Sequence, residues 1–277
     1  MVHQRFPDGI LSVLKSIVVS HPRDRAMTDR MDRPVRWLSI VALSLAILAG
    51  LATATAVLGY RLDWWDFGGA MSWLRWSLIL AFGGLLAGLV TLVISYFRWH
   101  VSGLASGGVA IVLALIVAWP MVDGIIKART LPAIHDISTD LDEPPPFEAV
   151  LPLREDAANP AEYPGVEVAE KQRQAWRELG PLITGASPDN AFQAALETAA
   201  NMHWEIVAAD PQRGRIEAVD TTLWFGFKDD IVIRIRPDNG GSRIDVRSKS
   251  RVGRSDLGTN ATRIKHYLQH LDNMLSG

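Results

Sequence analysis

The hydrophobic pattern divides the chain into two halves. Three stretches, Trp37–Gly59, Trp76–Phe97 and Val101–Val122, contain no Asp, Glu, Lys or Arg. At 1.5 Å rise per residue, each is long enough to cross a hydrocarbon core of about 30 Å as a helix. Tryptophans and a tyrosine (Trp37, Tyr60, Trp64, Trp65, Trp73, Trp76, Trp99, Trp119) fall near the ends of these runs, where an amphipathic ring sits well between lipid and water. Inside the runs the polar groups are small hydroxyls, such as Ser39, Ser44, Thr53, Thr55 and Thr91. Gly84 and Gly88, and then Gly103 and Gly107, have the spacing that lets helices approach closely. A transport path would need an ionisable group or a broken helix at midplane; the expectation here is anchoring and packing.

The polar half carries shorter periods. Leu131–Pro164 holds Pro132, Pro144, Pro145, Pro146, Pro152, Pro160 and Pro164, a density that opposes helix and favours extended chain wrapped along a surface. Glu167–Leu179 reads as a short helix with Ala175, Trp176 and Leu179 as its contact face. Ser187-Pro188-Asp189 is a helix start, with a hydroxyl cap, proline at the first helical position and an acid in the first turn. Phe192, Ala195, Leu196 and Ala199 then recur at helical spacing.

Four alternating runs follow. Trp204, Ile206 and Ala208 share a face of the first, Ile216 and Ala218 of the second, Ile231, Ile233 and Ile235 of the third, and Ile244 and Val246 of the fourth. Asn239-Gly240 predicts a two-residue hairpin turn. That turn sets Ile235 opposite Ile244, Arg234 opposite Asp245 and Ile233 opposite Val246. Extended, it sets Asp230 opposite Lys249, Asp229 opposite Ser250 and Lys228 opposite Arg251. A last helix has Ser255 as cap, Asp256 at its dipole, and Leu257, Ala261, Ile264, Leu268, Leu271 and Leu275 as one stripe.

The predicted fold is therefore three transmembrane α-helices followed by a small α+β domain, a four-stranded antiparallel sheet with helices on one face. Its expected layout is a tail over 1–36, membrane helices over 37–122, a Pro-rich linker over 123–164 and the soluble domain over 165–277. The tail contains an apolar patch, Ile10–Val19, too short to span and broken by Lys15. Met27 and Met31 are alternative starts to Met1.

Composition adds exclusions. There is no cysteine, which removes disulfides, thiol catalysis and iron–sulfur clusters. A net charge of -2 gives no case for nucleic acid as a partner. The Arg234, Arg236, Arg243 and Arg247 stripe reads as a solvated strand face shared with Glu205, Glu217 and Asp245. His135 stands among Asp136, Asp140 and Asp142, but with no metal-ligand spacing, and such residues in a Pro-rich stretch make local turns. No cofactor, metal site or catalytic set is identified: no serine lies in a nucleophile-elbow context, no His pair has zinc spacing and no Gly-rich phosphate loop occurs.

Two blocks carry a resemblance. Thr221-Thr222-Leu223-Trp224-Phe225-Gly226-Phe227-Lys228-Asp229-Asp230 is followed by Asp245-Val246-Arg247-Ser248-Lys249-Ser250-Arg251-Val252-Gly253-Arg254-Ser255-Asp256-Leu257-Gly258, then Asn260 and Arg263. From about His135 onward the chain resembles the bacterial family called domain of unknown function 1499, in its longer form with preceding membrane spans. The resemblance implies no activity. The register brings the two blocks together at one end of the sheet, and two readings stay open there. In one, Trp224, Phe225, Phe227, Lys228, Asp229, Asp230, Arg247, Ser250, Arg251, Arg254 and Asp256 surround an anionic ligand, the aromatics forming a wall or dipping into the bilayer surface. In the other, the acids satisfy the arginines and the aromatics close the core.

Topology completes the expectation. Arg23, Arg25, Arg30, Arg33 and Arg36 crowd the start of the first span, and positive residues favour the cytoplasmic side. Three spans then place the C-terminal domain in the periplasm of a bacterial inner membrane. The leading expectation is a non-enzymatic envelope protein, with the lipid bilayer, an anionic small ligand, or another membrane or periplasmic protein as partner. The alternatives are a hydrolase using His135, Asp229 and Asp230, and a subunit of a membrane complex.

Overall fold

The computed structural model describes residues 22–276, so the Ile10–Val19 patch lies outside the described residues. The chain forms two compact units: one takes the chain to Gly59 together with Trp65–Met121, the other Tyr60–Trp64 with Val122 onward.

The first unit is built from α1 (Pro22–Arg61) up to Gly59, all of α2 (Phe67–Phe97), and α3 (Val101–Thr130) up to Met121. All three helices are long and apolar enough to cross a membrane. Lipid tails are as apolar as leucine, so close van der Waals contact and a few hydroxyl bonds must hold such helices together. A Cβ on Gly88 would lie 3.1 Å from the carbonyl oxygen of Gly107, and one on Gly107 would lie 3.0 Å from that of Gly88. Gly84 lies as close to the backbone of Ala42 and Ala46 on α1. Ser77 Oγ donates to the Ala49 carbonyl at 2.7 Å, and Ser106 Oγ to Ser39 Oγ at 2.7 Å. The predicted glycine contacts are thus the helix crossings.

The second unit contains β1 (Asp136–Ser138), a 3-10 turn (Leu151–Arg154), α4 (Val166–Ala175), β2 (Leu182–Thr184), α5 (Pro188–Asn201), β3 (Glu205–Asp210), β4 (Arg215–Thr221), β5 (Lys228–Asp238), β6 (Gly241–Ser250) and α6 (Thr259–Ser276). The sheet has six strands rather than four, in the order β1-β6-β5-β4-β3, with β2 also on β6. The two additions are three-residue strands sharing the free edge of β6, β1 along Arg247–Lys249 and β2 along Ser242–Ile244. They are too short to show an alternation, and β1 arises inside the Pro-rich stretch. Gln172 of α4 then seals part of β1's outer edge, its side chain donating to the Ser138 carbonyl at 2.6 Å and accepting from the Ser138 N–H at 3.0 Å.

The hairpin register is the predicted one: Ile235 faces Ile244, Arg234 faces Asp245, and Asp230 faces Lys249. Asn239 and Gly240 both have positive φ, 45° and 84°, as a two-residue primed turn requires. A bulge between Ile206 and Ala208 changes one expectation. Ile206 faces Ala218 but Ala208 faces Glu217, so the extra residue turns Ala208 to the opposite side of the sheet. Helix starts follow their chemistry. Ser187 caps α5 through the Asn190 N–H. For α6 the cap is Asp256, accepting from Gly258 and Asn260 N–H groups, rather than Ser255.

Both faces of the sheet are buried, and they differ. α5 and α6 cover an apolar face in which Ile216, Ile231, Ile233, Ile244 and Val246 are fully inaccessible, and Trp204 stacks on Tyr267 at 4.9 Å. Tyr267 completes the α6 stripe alongside Ala261, Ile264 and Leu271. The opposite face carries Glu217, Asp230, Asp245, Arg247 and Lys249, each 2% exposed or less. The expected solvated stripe is therefore corrected. The Pro-rich segment lies across it and inserts Phe147 and Val150 against Val219 and Val232.

This cover has little hydrogen bonding of its own, because proline lacks an N–H and its neighbours are extended. Its buried backbone groups must still be paired, and sheet side chains pair them. Arg247 donates to the carbonyls of Pro145 and Ala161, Lys249 to Glu162, Arg215 to Pro146 and Arg251 to Leu153. The Glu217 carboxylate accepts the N–H groups of Glu148 and Val150. Arg247 also holds Asp136 through two bonds of 2.9 and 2.8 Å and lies 4.6 Å over the Phe147 ring.

Removing one member of a buried ion pair costs about 3–5 kcal/mol, because the remaining charge is uncompensated. Asp136→Asn strands both Arg247 and Lys249, and its unfolding midpoint should fall accordingly in chemical denaturation of the full chain. Lys249→Met should cost clearly less, since Asp136 keeps Arg247 and burial already disfavours the lysine charge. Equal losses for the two variants would contradict this assignment.

Candidate functional site

The signature residues gather at the end of the sheet where β5 begins and β6 ends, but alternation along each strand divides them between two faces. Asp230, Arg247 and Arg251 lie on the covered charged face. Asp230 is fully buried and takes ion pairs from Arg154 and Arg251, the latter at 2.7 Å. Asp229, the next residue, points to the helix side and accepts from Arg263 at 2.6 Å. Arg263 also holds Asp220 at 2.7 Å and donates to Ser248 Oγ at 3.1 Å. Asn260 donates to Ser250 Oγ at 3.0 Å and to the His135 carbonyl at 3.2 Å. Asp256, its pKa raised by burial, sits just before α6 as its cap. The two adjacent carboxylates therefore do not converge, and neither shares a site with the other.

The aromatic block forms a closed turn between β4 and β5. Thr222 N–H donates to the Phe227 carbonyl, Phe227 N–H to Thr222 Oγ1, and Gly226, at φ 71°, allows the reversal. Phe225 and Phe227 stack at 5.0 Å behind it. Leu223 and Trp224 project outward, 79% and 73% exposed, and Lys228 is exposed as well.

Arg254 differs from the other signature arginines. Its guanidinium has no ion pair or hydrogen bond among the described residues, and it lines an open cavity of about 210 Å3 with Ile134, His135, Asn159, Pro164 and Val168. His135 is half-buried, and desolvation lowers its pKa. Its Nδ1 lies 3.5 Å from the Arg254 carbonyl, at the limit of a hydrogen bond. Among the described residues no group of three or more His, Asp or Glu side chains is placed to hold a metal ion. Asp140 accepts from Ser138-turn neighbours and arginines instead of approaching His135: the N–H groups of Asp142 and Glu143, and Arg234, Arg236 and Arg243.

Two residues that sequence reasoning left aside are central here. Arg154 reaches Asp230 from the cover, and Asn159 donates to the carbonyls of Ser250 and Gly253 at 3.0 Å each. Nothing local marks either one; a lone Arg and a lone Asn in a Pro-rich stretch carry no spacing. Arg263, by contrast, follows the second signature block within reach of α6's first turns.

Residues 136–271 match the family model described as "Protein of unknown function (DUF1499)". No curated protein matches the chain.

The Asp140 carboxyl yields a pH dependence. Burial alone would raise its pKa, but the Glu143 and Asp142 N–H groups together with Arg243 and Arg234 hold it below the usual value. A carboxyl lowered on folding adds stability above its unfolded pKa of about 3.9, and this is lost as pH falls through the folded value. Acidification below about pH 4 should therefore destabilise the wild type more steeply than Asp140→Asn, which should already be weaker at pH 7. Parallel stability–pH curves from denaturant titrations would contradict the network.

Proposed function

We propose that this chain, whose C-terminal domain belongs to the DUF1499 family, is a bacterial inner-membrane protein that presents a non-enzymatic binding domain to the periplasm. Orientation rests on charge. Five arginines between Arg23 and Arg36 precede the first apolar run, which favours a cytoplasmic N-terminus. With three crossings the C-terminus is then on the other side.

The single observation that carries the non-enzymatic reading is the engagement of the signature charges. Asp229 and Asp230 point to opposite faces and each is already held by arginine. A general acid–base pair needs carboxylates, or a carboxylate and a histidine, that reach one reacting centre. What faces outward is different in kind: an apolar tip at Leu223 and Trp224, the exposed Lys228, and Arg254 at the rim of the His135 cavity. This combination suits recognition of a small anionic ligand or of a partner protein. Phe225 and Phe227 back the tip. Asp229, Asp230, Arg247, Ser250, Arg251 and Asp256 form the base beneath the binding surface.

Fusion of alkaline phosphatase or green fluorescent protein after Gly277 tests the orientation. High phosphatase activity with a dark fluorescent fusion is the expected result. A bright fluorescent fusion lacking phosphatase activity would place the domain in the cytoplasm and end this reading.

A further inference from the structure

The turn between β4 and β5 puts two large apolar side chains into the open, although turns between strands are ordinarily polar. Leu223 is 79% and Trp224 73% exposed. We infer that this tip enters the bilayer, with Leu223 and Trp224 seated at the boundary between lipid headgroups and acyl chains.

Lipid is singled out by what the turn rests on. Tyr60–Trp64, the end of α1 and the start of its connection to α2, belongs to the same compact unit as the turn. Arg61 Nη1 donates to the Leu223 carbonyl at 2.7 Å and to the Trp224 carbonyl at 3.3 Å. Tyr60 meets the Phe227 ring edge to face at 5.1 Å and the Phe225 ring at 6.3 Å. A connection between two membrane-crossing helices lies where those helices leave the hydrocarbon. Chain connectivity therefore sets the depth of Tyr60–Trp64, and these contacts give the turn the same depth. The connection has the side chains of that level, with Leu62 and Trp64 55% and 67% exposed beside Tyr60.

The turn is also prepared for a place with little water. A carbonyl withdrawn from water must find another donor. The Thr222 carbonyl accepts the Gly226 N–H and the Phe227 carbonyl the Thr222 N–H, each at 2.9 Å, while Arg61 holds the two carbonyls at the tip. Stacked Phe225 and Phe227 brace the backbone from behind, so little order is lost when the tip is buried. The Trp224 ring can bury its apolar body and leave its N–H with the headgroups. Lys228 is exposed at the foot of the turn, and its stem can cover apolar surface with the ammonium among headgroup phosphates.

The inference rests on the membrane-crossing helices of the proposed function, but not on which side the domain faces or on its being non-enzymatic. It gives Leu223 and Trp224 to lipid and leaves the Arg254 cavity to any ligand.

Because the chain has no cysteine, Leu223→Cys and Trp224→Cys can each carry one nitroxide label in the full-length protein. Leu86→Cys, 65% exposed on α2, serves as the span control. Gln212→Cys, exposed in the turn at the other end of β4, serves as the water control. Reconstituted in phosphatidylcholine and phosphatidylglycerol bilayers, each label is read by electron paramagnetic resonance for accessibility to oxygen and to a water-soluble nickel chelate. Labels at 223 and 224 should lie roughly 5–10 Å below the phosphates, with an oxygen-to-nickel ratio several-fold above that at 212. Matching melting curves establish that the labelled variants fold. Tip labels as open to nickel as the label at 212, with that at 86 shielded, would overturn the inference and leave the membrane reading standing. Tip labels shielded from both reagents would mean a protein surface over the tip, which also overturns it. A label at 86 open to nickel would remove both readings.

Discussion

The contact between a proline-rich segment and a charged strand face governs the C-terminal domain. Extended, proline-containing chain cannot satisfy its own backbone, and here one side of it is pressed on the sheet, with Pro145, Phe147, Val150 and Arg154 buried. Arg247 answers this need most fully: its guanidinium binds Asp136 of the edge strand, two cover carbonyls, and the face of Phe147 at once. Lys249, Arg251 and Arg215 repeat the arrangement along the sheet, and Glu217 does the reverse by accepting cover N–H groups. The charges are dense because an irregular strand of backbone lies over them.

That origin bears on function. Buried ion pairs contribute little net stability, since desolvation offsets their attraction, yet breaking one is expensive. They fix one geometry more than they deepen its free energy. In this domain they fix where the cover runs, and so the Arg254 cavity that its Asn159 and Pro164 help to line. A cluster of arginines and aspartates at one end of a sheet invites a ligand. With these partners occupied, the outward-facing chemistry shrinks to Trp224, Lys228 and Arg254. The membrane unit follows a different rule, in which glycines and hydroxyls pack the helices.

Much of the fold was legible from short-range pattern. Charge-free runs gave the three helices, and Asn239-Gly240 set a register correct to Asp229 and Ser250. Alternation of isoleucines marked the helix-covered face. The same alternation left the other face looking solvated, because a one-dimensional pattern records polarity but not what covers it. The proline density of Leu131–Pro164 predicted a chain wrapped along a surface, but not that this surface is the charged strand face. β1 and β2 stayed hidden, each holding three residues against one edge of β6. The bulge at Val207 was invisible because either register of that strand buries a small apolar side chain. For the site, the two signature blocks were rightly brought to one end of the sheet. Their division between faces follows from strand period, and was missed by treating Asp229-Asp230 as a unit.

Amide hydrogen exchange on the full chain tests the central claim most directly. Glu148 and Val150 N–H groups, both bonded to the Glu217 carboxylate, should exchange as slowly as strand amides. Glu217→Gln should accelerate them while the β5–β6 hairpin stays protected. Rapid exchange of both amides in the wild type, beside a protected sheet, would contradict the account.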